Sequence, residues 1–455
     1  MVSAAGRRPD QAGSEGSERC APCDEAGYRP WMLRPLTGTL LLALSFGTLP
    51  AAAAAAPTKA DDTPRLISYR SWDTGAQLRR GAFDGTRASR GRLRISTPTG
   101  RATVAGERYA LGTWTSPWVR PRGGFTELVP SWASTTPAGT LIQVRVRGAD
   151  PSGRRSSWDT LGRWAGTDRT FRRTSPGSQS DDLARVATDT WLTSRRLRSW
   201  QVRVSLLRRT GTSSTPRVGT VGAVASLLPQ VRSVTRSRPG VARGRVLAVP
   251  RYSQMTHVGE YPEYGGGGEA WCSPTATTMV LAYYRRLPPP ADYAWVNRSY
   301  ADRVVDHAAR MTFDHGYDGT GNWPFNTAYA AKLTGHGFVT RFGSLRGVER
   351  LIRAGIPVVT SITFGAGELT GAPISASNGH LVVVRGFTRT GDVVVNDPAA
   401  RTRAGVRRTY DRGQFESAWL KRYPSGGGMR GSGGLAYVIR DRAHPLPPRA
   451  GTRSW

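Results

Sequence analysis

Cysteine, lysine and long apolar runs are scarce in this chain of 455 residues, and each scarcity narrows what the protein can be. Only three cysteines occur, Cys20, Cys23 and Cys272, so a dense disulfide framework is excluded. The C-x-x-C spacing of Cys20 and Cys23 suits a metal or redox pair, but no second pair follows it, which argues against a zinc site. No apolar run is long enough to predict a membrane-spanning helix.

The longest apolar run, residues 40–49, predicts a secretory signal peptide. Arg34 precedes it and the small residues 51–56 follow it, which is the order of regions in such a leader. We expect residues 1–56 to be an N-terminal extension and signal peptide, with Met32 as an alternative start. The exported chain would then be secreted, would contain no membrane span, and would keep Cys272 as its single cysteine.

The charge is strongly one-sided, because 64 Lys and Arg residues face 32 Asp and Glu residues and give a formal net charge of +32. Lysine occurs only at Lys59, Lys332 and Lys421, so nearly all of the excess is arginine. The basic residues are scattered and no nucleic-acid-binding motif is visible, so we expect no nucleic-acid partner. A polyanion or glycan of the cell envelope is the expected electrostatic partner of an exported protein of this charge.

Residues 65–230 predict an all-β sandwich or jelly-roll domain. Short alternating runs, such as residues 141–146 and 200–206, are separated by Gly, Pro, Ser and Asp clusters. Aromatic residues are frequent here, and Trp132, Trp191 and Trp200 are expected in the core. Trp114 and Trp118 lie in a turn-rich stretch and are the better candidates for stacking on a sugar.

Residues 231–245 lack periodicity and are expected to be a linker, and residues 246–441 predict an α+β domain. Helices are expected at residues 272–284, 326–334, 344–354 and 411–420, and strands at 358–364, 381–384, 393–395 and 435–439. The third helix carries one apolar face and ends before Gly355. The basic, proline-containing tail, residues 442–455, is expected to be disordered.

Cys272 is the candidate nucleophile of this second domain. Ser273 and Pro274 follow it, and proline is favoured in the first turn of a helix. A thiol at that position meets the positive end of the helix dipole, which favours the reactive thiolate. The competing interpretation is an inert buried cysteine, because free cysteine is among the most buried residue types.

His380 is the best-placed base, because it opens an apolar strand, and Asp397 ends the next strand. A hairpin centred at Thr390 would set His380 three residues from the position opposite Asp397, about 10 Å along the strand. That distance is too long for a hydrogen bond, so a bulge, for example at Gly386, or a shifted turn is required. Asp397 as a plain turn residue is the alternative.

Two adjacent pairs are candidate metal ligands, namely Asp306 with His307 and Asp314 with His315. Neither pair has a helical ligand spacing or a third ligand at a usual distance, so we expect no metal. Gln254, upstream of the cysteine, is a candidate side-chain donor to an oxyanion, together with the Cys272 backbone N–H. An ordinary surface glutamine is the alternative for Gln254.

These motifs together resemble a known family. Residues 249–254 (V-P-x-Y-x-Q), 271–275 (W-C-x-P-T), 379–386 (G-H-L-V-V-V-x-G) and 396–398 (N-D-P) are similar to the bacteriocin-processing cysteine peptidases of the papain superfamily. The closer resemblance is to their exported, transporter-free relatives. Ser273 departs from the family's usual glycine, so its bulk or hydroxyl could alter the site.

The resemblance covers residues 246–441 and implies a papain-like α+β cysteine peptidase domain preceded by the β-sandwich. It implies Cys272 as nucleophile, His380 as base and acid, Asp397 as orienting carboxylate and Gln254 as oxyanion donor. The expected function is hydrolysis of peptide bonds in a peptide or protein substrate, without a cofactor. The alternatives are an amidase or transpeptidase acting on cell-wall peptides, and a non-catalytic envelope-binding protein with a vestigial peptidase domain.

Overall fold

The computed structural model describes residues 63–180, 182–426, 428–449 and 451–455. The expected extension and signal peptide, with Cys20, Cys23 and Met32, lies outside the described residues. Within these ranges, no helix is both long enough and apolar enough to cross a bilayer. The described chain is mostly β-sheet with few helices, and it divides into an N-terminal β-rich domain and a C-terminal domain that mixes helices with strands.

The N-terminal part forms strands and one short helix in its described residues. In chain order these elements are β1 (Leu66–Trp72), α1 (Gly75–Leu78), β2 (Ala82–Asp84), β3 (Thr86–Ser89), β4 (Arg92–Ile95), β5 (Gly100–Val104), β6 (Glu107–Thr115), β7 (Phe125–Thr135), β8 (Thr140–Ala149), β9 (Asp159–Trp164), β10 (Ala184–Ala187), β11 (Thr190–Leu197), β12 (Ser199–Arg209) and β13 (Arg217–Leu227).

These strands pair into two antiparallel sheets that face each other as a β-sandwich. One sheet has the order β10-β11-β7-β13-β4-β3, with β1 on β13, and the other has β2-β6-β12-β8-β9, with β5 on β6. Alternate residues of β8 and β12 face inward, so Val144, Val146, Val202 and Val204 are fully buried. The alternating runs of the sequence therefore form the core of the sandwich, as predicted.

Tryptophan fills much of that core. Trp132, Trp191 and Trp200 are completely buried, as the sequence indicated. Trp114 was expected at the surface and this prediction is wrong, because its ring is buried 5.6 Å from the Trp72 ring and its Nε1 donates to the Leu78 carbonyl. A turn-rich sequence around Trp114 did not reveal that β6 carries it inward as a core strand.

The C-terminal part carries the remaining elements. In chain order they are α2 (Cys272–Tyr283), α3 (Val304–Thr312), α4 (Trp323–Thr334), β14 (His336–Arg341), α5 (Leu345–Arg353), β15 (Val358–Phe364), β16 (Ser377–Phe387), β17 (Val393–Asn396), β18 (Arg407–Tyr410), α6 (Arg412–Leu420), β19 (Tyr423–Ser425), β20 (Gly428–Arg430) and β21 (Leu435–Arg440). Every predicted helix and strand overlaps one of them, whereas α3, β14, β18, β19 and β20 were not predicted.

An antiparallel sheet of order β14-β21-β15-β16-β17-β18 forms the centre of this part. Strands β15 and β16 are buried along their whole length apart from Asn378, because helices cover the sheet and neighbouring strands flank both. The amphipathic helix α5 buries Leu345, Val348, Leu351 and Ile352, as its spacing predicted. Helix α2 packs on β16, which brings the start of that helix to the middle of the sheet.

The described residues of the tail, 442–449 and 451–455, pack against the body of the protein, whereas the composition led us to expect disorder. Trp455 is only 3% exposed, its ring lies 5.9 Å from the Phe342 ring, and the Arg350 guanidinium covers it. The Tyr69 amide donates to the Arg453 carbonyl, which ties the tail to β1. A basic, proline-rich composition concealed the single aromatic residue that anchors this segment.

Helix α4 joins the two parts. The Phe325 ring lies 6.1 Å from the Trp132 ring and 5.2 Å from the Trp164 ring, and all three are buried. A buried ion pair between Arg341 and Glu127 crosses the same boundary. The β-sandwich therefore packs directly on the part of the chain that carries the candidate site.

Candidate functional site

Cys272 is the first residue of α2, and only 3% of it is exposed. Trp271 stands at the N-cap without a side-chain hydrogen bond, and the first turn contains no acidic residue. The backbone N–H groups at this helix start are therefore not screened by a carboxylate, so their dipoles favour a negative charge on the thiol. Proline at position 274 fits the first turn, because it has no N–H to leave unpaired there.

His380 lies on β16 beside this helix start. Its Nε2 lies 2.7 Å from Asp397 Oδ1, and the Cys272 thiol is hydrogen-bonded to the same imidazole. Because Asp397 occupies Nε2, Nδ1 is the ring nitrogen left for the sulfur. His380 is 2% exposed and Asp397 is fully buried. One imidazole thus connects a thiol and a carboxylate away from water.

The charges of these groups reinforce one another. Burial alone lowers the pKa of His380, but the charge and hydrogen bond of Asp397, together with the Cys272 contact, outweigh burial and raise that pKa to about 10. Burial opposes ionisation of Asp397, yet the His380 charge and the bonds from His380 and Tyr410 lower its pKa below the ordinary 3.8. The favoured state at neutral pH is therefore an imidazolium held by a carboxylate.

A bulge sets this geometry. Strands β16 and β17 pair as Gly386 with Val394, but the register shifts so that Val384 pairs with Val395. Continued by one residue, the shifted register places Asp397 opposite Val382, two residues from His380 and on the same face. Diagonal neighbours of this kind are within reach of long side chains. The bulge that the sequence argument required is therefore present between Val384 and Gly386.

Glycine is required at position 386 by a close backbone approach. A Cβ there would lie 2.3 Å from the Arg245 carbonyl oxygen and 2.6 Å from the Val246 Cα. The segment that enters the C-terminal part crosses β16 at this point, and the Leu247 amide donates to the Arg385 carbonyl. The same contact that excludes a side chain thus accompanies the bulge that moves His380 towards Asp397.

Tyr410 is a site residue that sequence reasoning missed. Its hydroxyl on β18 donates to Asp397 Oδ2 at 2.6 Å, and the Ala399 amide donates to Oδ1 at 3.0 Å. Burial and the Asp397 charge raise the pKa of Tyr410, so the hydroxyl stays a donor. No motif marked Tyr410, because only the pairing of β17 with β18 brings it to the carboxylate.

Gln254 lies in a short 3-10 helix, Gln254–His257, next to the residues that precede Cys272. Its Nε2 donates to the Glu269 carbonyl at 2.7 Å, and its backbone N–H donates to the Pro398 carbonyl. The side chain is 2% exposed, so it is not an ordinary surface glutamine. An amide nitrogen carries two hydrogens, and this bond uses one of them.

The Ser273 hydroxyl is hydrogen-bonded to the central sheet. It is fully buried and shares a 3.0 Å hydrogen bond with the Tyr437 hydroxyl on β21. The residue that departs from the family's glycine is therefore used to attach α2 to the sheet. This hydroxyl is therefore engaged by the sheet through Tyr437.

The two Asp-His pairs weighed as metal ligands do not form metal sites as pairs. His307 packs beside Trp295 and burial lowers its pKa to about 4, while Asp306 on the same helix contacts His257. The Asp314 carboxylate is held by hydrogen bonds from Ser175, Gly316, Tyr317 and Asn322. Asp306 instead belongs to a different cluster with His257 and Glu260.

Two family models match this chain. The Peptidase C39 N-terminal domain model matches residues 68–226, and the Peptidase_C39 like family model matches residues 246–426. The two matches support a C39 cysteine peptidase family for this chain, as its motifs indicated. The family supports a peptidase of the cysteine type. No curated protein matches the chain.

Solved structures are only distantly similar. The Glycosylation Associate Protein (Gap123) complex from Streptococcus agalactiae has 11% identity and a TM-score of 0.17, covering 38% of this chain and 48% of that one. A carbohydrate-binding module of the β-sandwich superfamily has 13% identity, a TM-score of 0.14 and coverages of 37% and 63%. The structure of infectious bursal disease virus Gt strain has 11% sequence identity and a TM-score of 0.15, and the match covers 41% of this chain and 47% of that one. The matches span less than two thirds of each of these structures, and at such TM-scores they support no statement about fold or ligand.

Proposed function

We propose that this chain is a secreted cysteine peptidase whose catalytic triad is Cys272, His380 and Asp397. One observation carries the proposal, namely a single imidazole that bonds Asp397 at 2.7 Å and the Cys272 thiol on its other side. A thiol at a helix start facing a histidine on an antiparallel sheet corresponds to a papain-like α+β domain. The match to a peptidase family model supports the same conclusion.

In the proposed reaction, the Cys272 sulfur attacks the carbonyl carbon of a peptide bond and forms a tetrahedral intermediate. The C–N bond then breaks, and the His380 imidazolium gives its proton to the leaving amine. The acyl group stays on sulfur as a thioester. Neutral His380 next removes a proton from water as the water oxygen attacks the thioester carbon. The C–S bond then breaks, which releases the acid and restores the thiolate beside the imidazolium. Asp397 and Tyr410 hold the ring orientation throughout.

Gln254 is the proposed oxyanion donor. Its second amide hydrogen and the Cys272 backbone N–H would donate to the oxygen of the tetrahedral intermediate. The bond from Gln254 to the Glu269 carbonyl fixes the amide next to the residues that enter α2. Because the amide is held before the substrate binds, it needs no reorganisation as the charge develops.

The sandwich is proposed to hold the enzyme at a polyanionic or glycan surface of the cell envelope. On one sheet the half-exposed Trp118 and Trp158 rings alternate with Arg147 and Arg203, with guanidinium-to-ring distances of 4.3–5.2 Å. Guanidinium groups cover these aromatic faces, which favours contact with anions over stacking on a sugar. This surface also keeps a second candidate substrate open, the peptides of the cell wall.

Turnover by the Cys272→Ala variant tests the proposal. We expect casein hydrolysis to fall to background in Cys272→Ala, and Cys272→Ser to be nearly as inactive, because a hydroxyl beside imidazolium is not ionised. Hydrolysis that persists in Cys272→Ala would contradict the mechanism. A wild-type protein that hydrolyses nothing and whose thiol resists iodoacetamide at neutral pH would instead indicate a vestigial domain.

Purified peptidoglycan separates the second candidate from the first. An amidase or transpeptidase would release or exchange cell-wall peptides in a Cys272-dependent way while leaving casein intact. A general peptidase would cleave casein and leave the cell-wall cross-links unchanged.

A further inference from the structure

A second cluster of ionisable side chains lies beside the candidate site, and the proposed reaction makes no use of it. His257 Nδ1 lies 2.7 Å from Glu260 Oε2 and 3.3 Å from Asp306 Oδ2. One potential ligand atom from each residue lies within 4.8 Å of the other two. We name these three residues the His257 cluster.

The cluster is buried and its hydrogen bonding is incomplete. His257 and Asp306 are fully buried, while Glu260 is 9% exposed. Among the described residues, the Asp306 carboxylate contacts only the other two members of the cluster, with Oδ2 at 3.3 Å from His257 Nδ1, and His257 Nε2 has no hydrogen-bond partner. A buried carboxylate with so few hydrogen bonds is costly, and burial together with Asp306 raises the pKa of Glu260 to about 7, so a second negative charge in this cluster is also costly. A bound cation would remove both costs.

The ligand types narrow the class of cation. A histidine nitrogen with two carboxylate oxygens suits zinc and similar divalent transition metals, whereas calcium and magnesium prefer oxygen ligands only. Metal–ligand bonds of about 2.0 Å in a tetrahedral site separate the ligands by roughly 3.3 Å. The His257 to Asp306 separation already has that value. Glu260, the partly exposed member, would need to withdraw by roughly half an ångström from its present hydrogen bond.

We propose that the His257 cluster is a structural site for a divalent transition metal of the zinc type, with a water as fourth ligand. The metal would connect the segment that carries Gln254 to α3, which carries Asp306. Gly268 packs tightly against the Gln254–His257 segment, because a Cβ at position 268 would lie 2.4 Å from the Gln254 carbonyl oxygen and 2.5 Å from the His257 carbonyl oxygen. Metal binding would therefore stabilise the fold and the position of Gln254 without taking part in the reaction.

Metal content tests this proposal, and the Cys272→Ala protein is the right background because its thiol cannot compete for zinc. We expect about one zinc per chain after dialysis against ZnSO4 and then against metal-free buffer, and a melting temperature that falls when a chelator is added. In that background Asp306→Asn and Glu260→Gln should each bind zinc at least roughly tenfold more weakly. Glu263→Gln, which changes an exposed carboxylate of the same loop, should keep both properties.

Two results would overturn the proposal. One is a Cys272→Ala protein that binds no zinc and whose melting temperature does not respond to zinc, manganese or chelator, in which case a shared proton joins the carboxylates. The other is Asp306→Asn and Glu260→Gln proteins that keep the zinc affinity of their parent. Neither result bears on the peptidase proposal, because Cys272 is absent from the proteins compared.

Discussion

Two buried histidine–carboxylate clusters lie close together in this protein, and they differ in what each imidazole meets. His380 has a carboxylate on one nitrogen and a thiol on the other, and its carboxylate is satisfied by Tyr410 and a backbone amide. His257 has two carboxylates near one nitrogen and no partner for the other among the described residues. We therefore propose proton transfer for the first cluster and cation binding for the second.

A buried histidine with a carboxylate does not define a catalytic site by itself. The nucleophile defines it, together with a fully hydrogen-bonded carboxylate that keeps one ring orientation. Variants of the two clusters should therefore separate effects on activity from effects on stability.

Removing the imidazoles should give the largest contrast. We expect His380→Ala to lower kcat/KM for a peptide substrate by roughly 10³–10⁴-fold, because both the thiolate and the general acid are lost. His257→Asn should lower the melting temperature and lower kcat/KM by about tenfold at most, through Gln254. Steady-state kinetics measures kcat/KM and thermal melting measures the melting temperature of both variants. Equal losses of kcat/KM in the two variants would contradict the distinction between the clusters.

Gln254→Ala tests the segment that lies between the clusters. We expect kcat to fall by roughly 10²–10³-fold with little change in KM, since an oxyanion donor acts mainly in the transition state. Alkylation of Cys272 should proceed at the wild-type rate, because the His380 pair is untouched. A loss confined to KM would instead assign Gln254 to ground-state substrate binding.

Tyr410→Phe should have a smaller effect. It removes a hydrogen bond to a buried carboxylate, which costs about 2 kcal/mol of stability, and we expect kcat/KM to fall by about tenfold through a loosened imidazole. Tyr329→Phe is a matched control, because that hydroxyl is buried and has no partner among the described residues. If both variants behave alike in urea unfolding and kinetics, Tyr410 does not orient the site.

The pH dependence of stability should follow the first cluster. The pKa of His380 is raised from 6.5 to about 10, so its contribution is complete below pH 6.5 and is lost as the pH rises towards 10. The pKa of Asp397 is lowered, so its contribution is present above pH 3.8 and is lost in more acidic solution.

Urea unfolding at pH 5.5 and pH 10 measures the effect. We expect the free energy of unfolding of wild type relative to His380→Ala to shrink by at least about 1 kcal/mol at the higher pH. A difference that is constant across this range would mean that the imidazole is not held as an imidazolium.

Ser273→Ala should have the smallest effect on activity. The variant loses the Tyr437 hydrogen bond, which costs about 1 kcal/mol of stability, and kcat/KM should stay within about twofold of wild type. A tenfold change in kcat/KM without a change in stability would place the hydroxyl in the reaction.

The sequence could predict the elements whose signals are local. The helix start at Cys272, the apolar face of α5 and the strand after His380 all depend on periodicity, proline and glycine within a few residues. The need for a bulge could also be argued, because counting residues around Thr390 left His380 too far from Asp397. The sequence could not locate this bulge, because its position depends on the strand pairing and on the close backbone contact at Gly386.

Contacts between distant segments could not be predicted in this way. Tyr410 reaches Asp397 only through the pairing of β17 with β18, and His257 meets Asp306 only because α3 packs beside the Gln254 segment. Sequence spacing pairs Asp306 with its neighbour His307, although adjacent helical residues point in different directions. Trp455 was missed for the same reason, since its burial depends on Phe342 and Arg350.

The coupling of Cys272 to His380 can be tested by the rate at which iodoacetamide alkylates Cys272, measured from pH 5 to pH 10 in wild type and in His380→Ala. We expect rapid alkylation of the wild-type thiol already at pH 6, because the imidazolium beside it stabilises the thiolate. We expect His380→Ala to react rapidly only above the ordinary thiol pKa of about 8.5. Identical profiles for the two proteins would contradict the claim that His380 and Cys272 act as one unit.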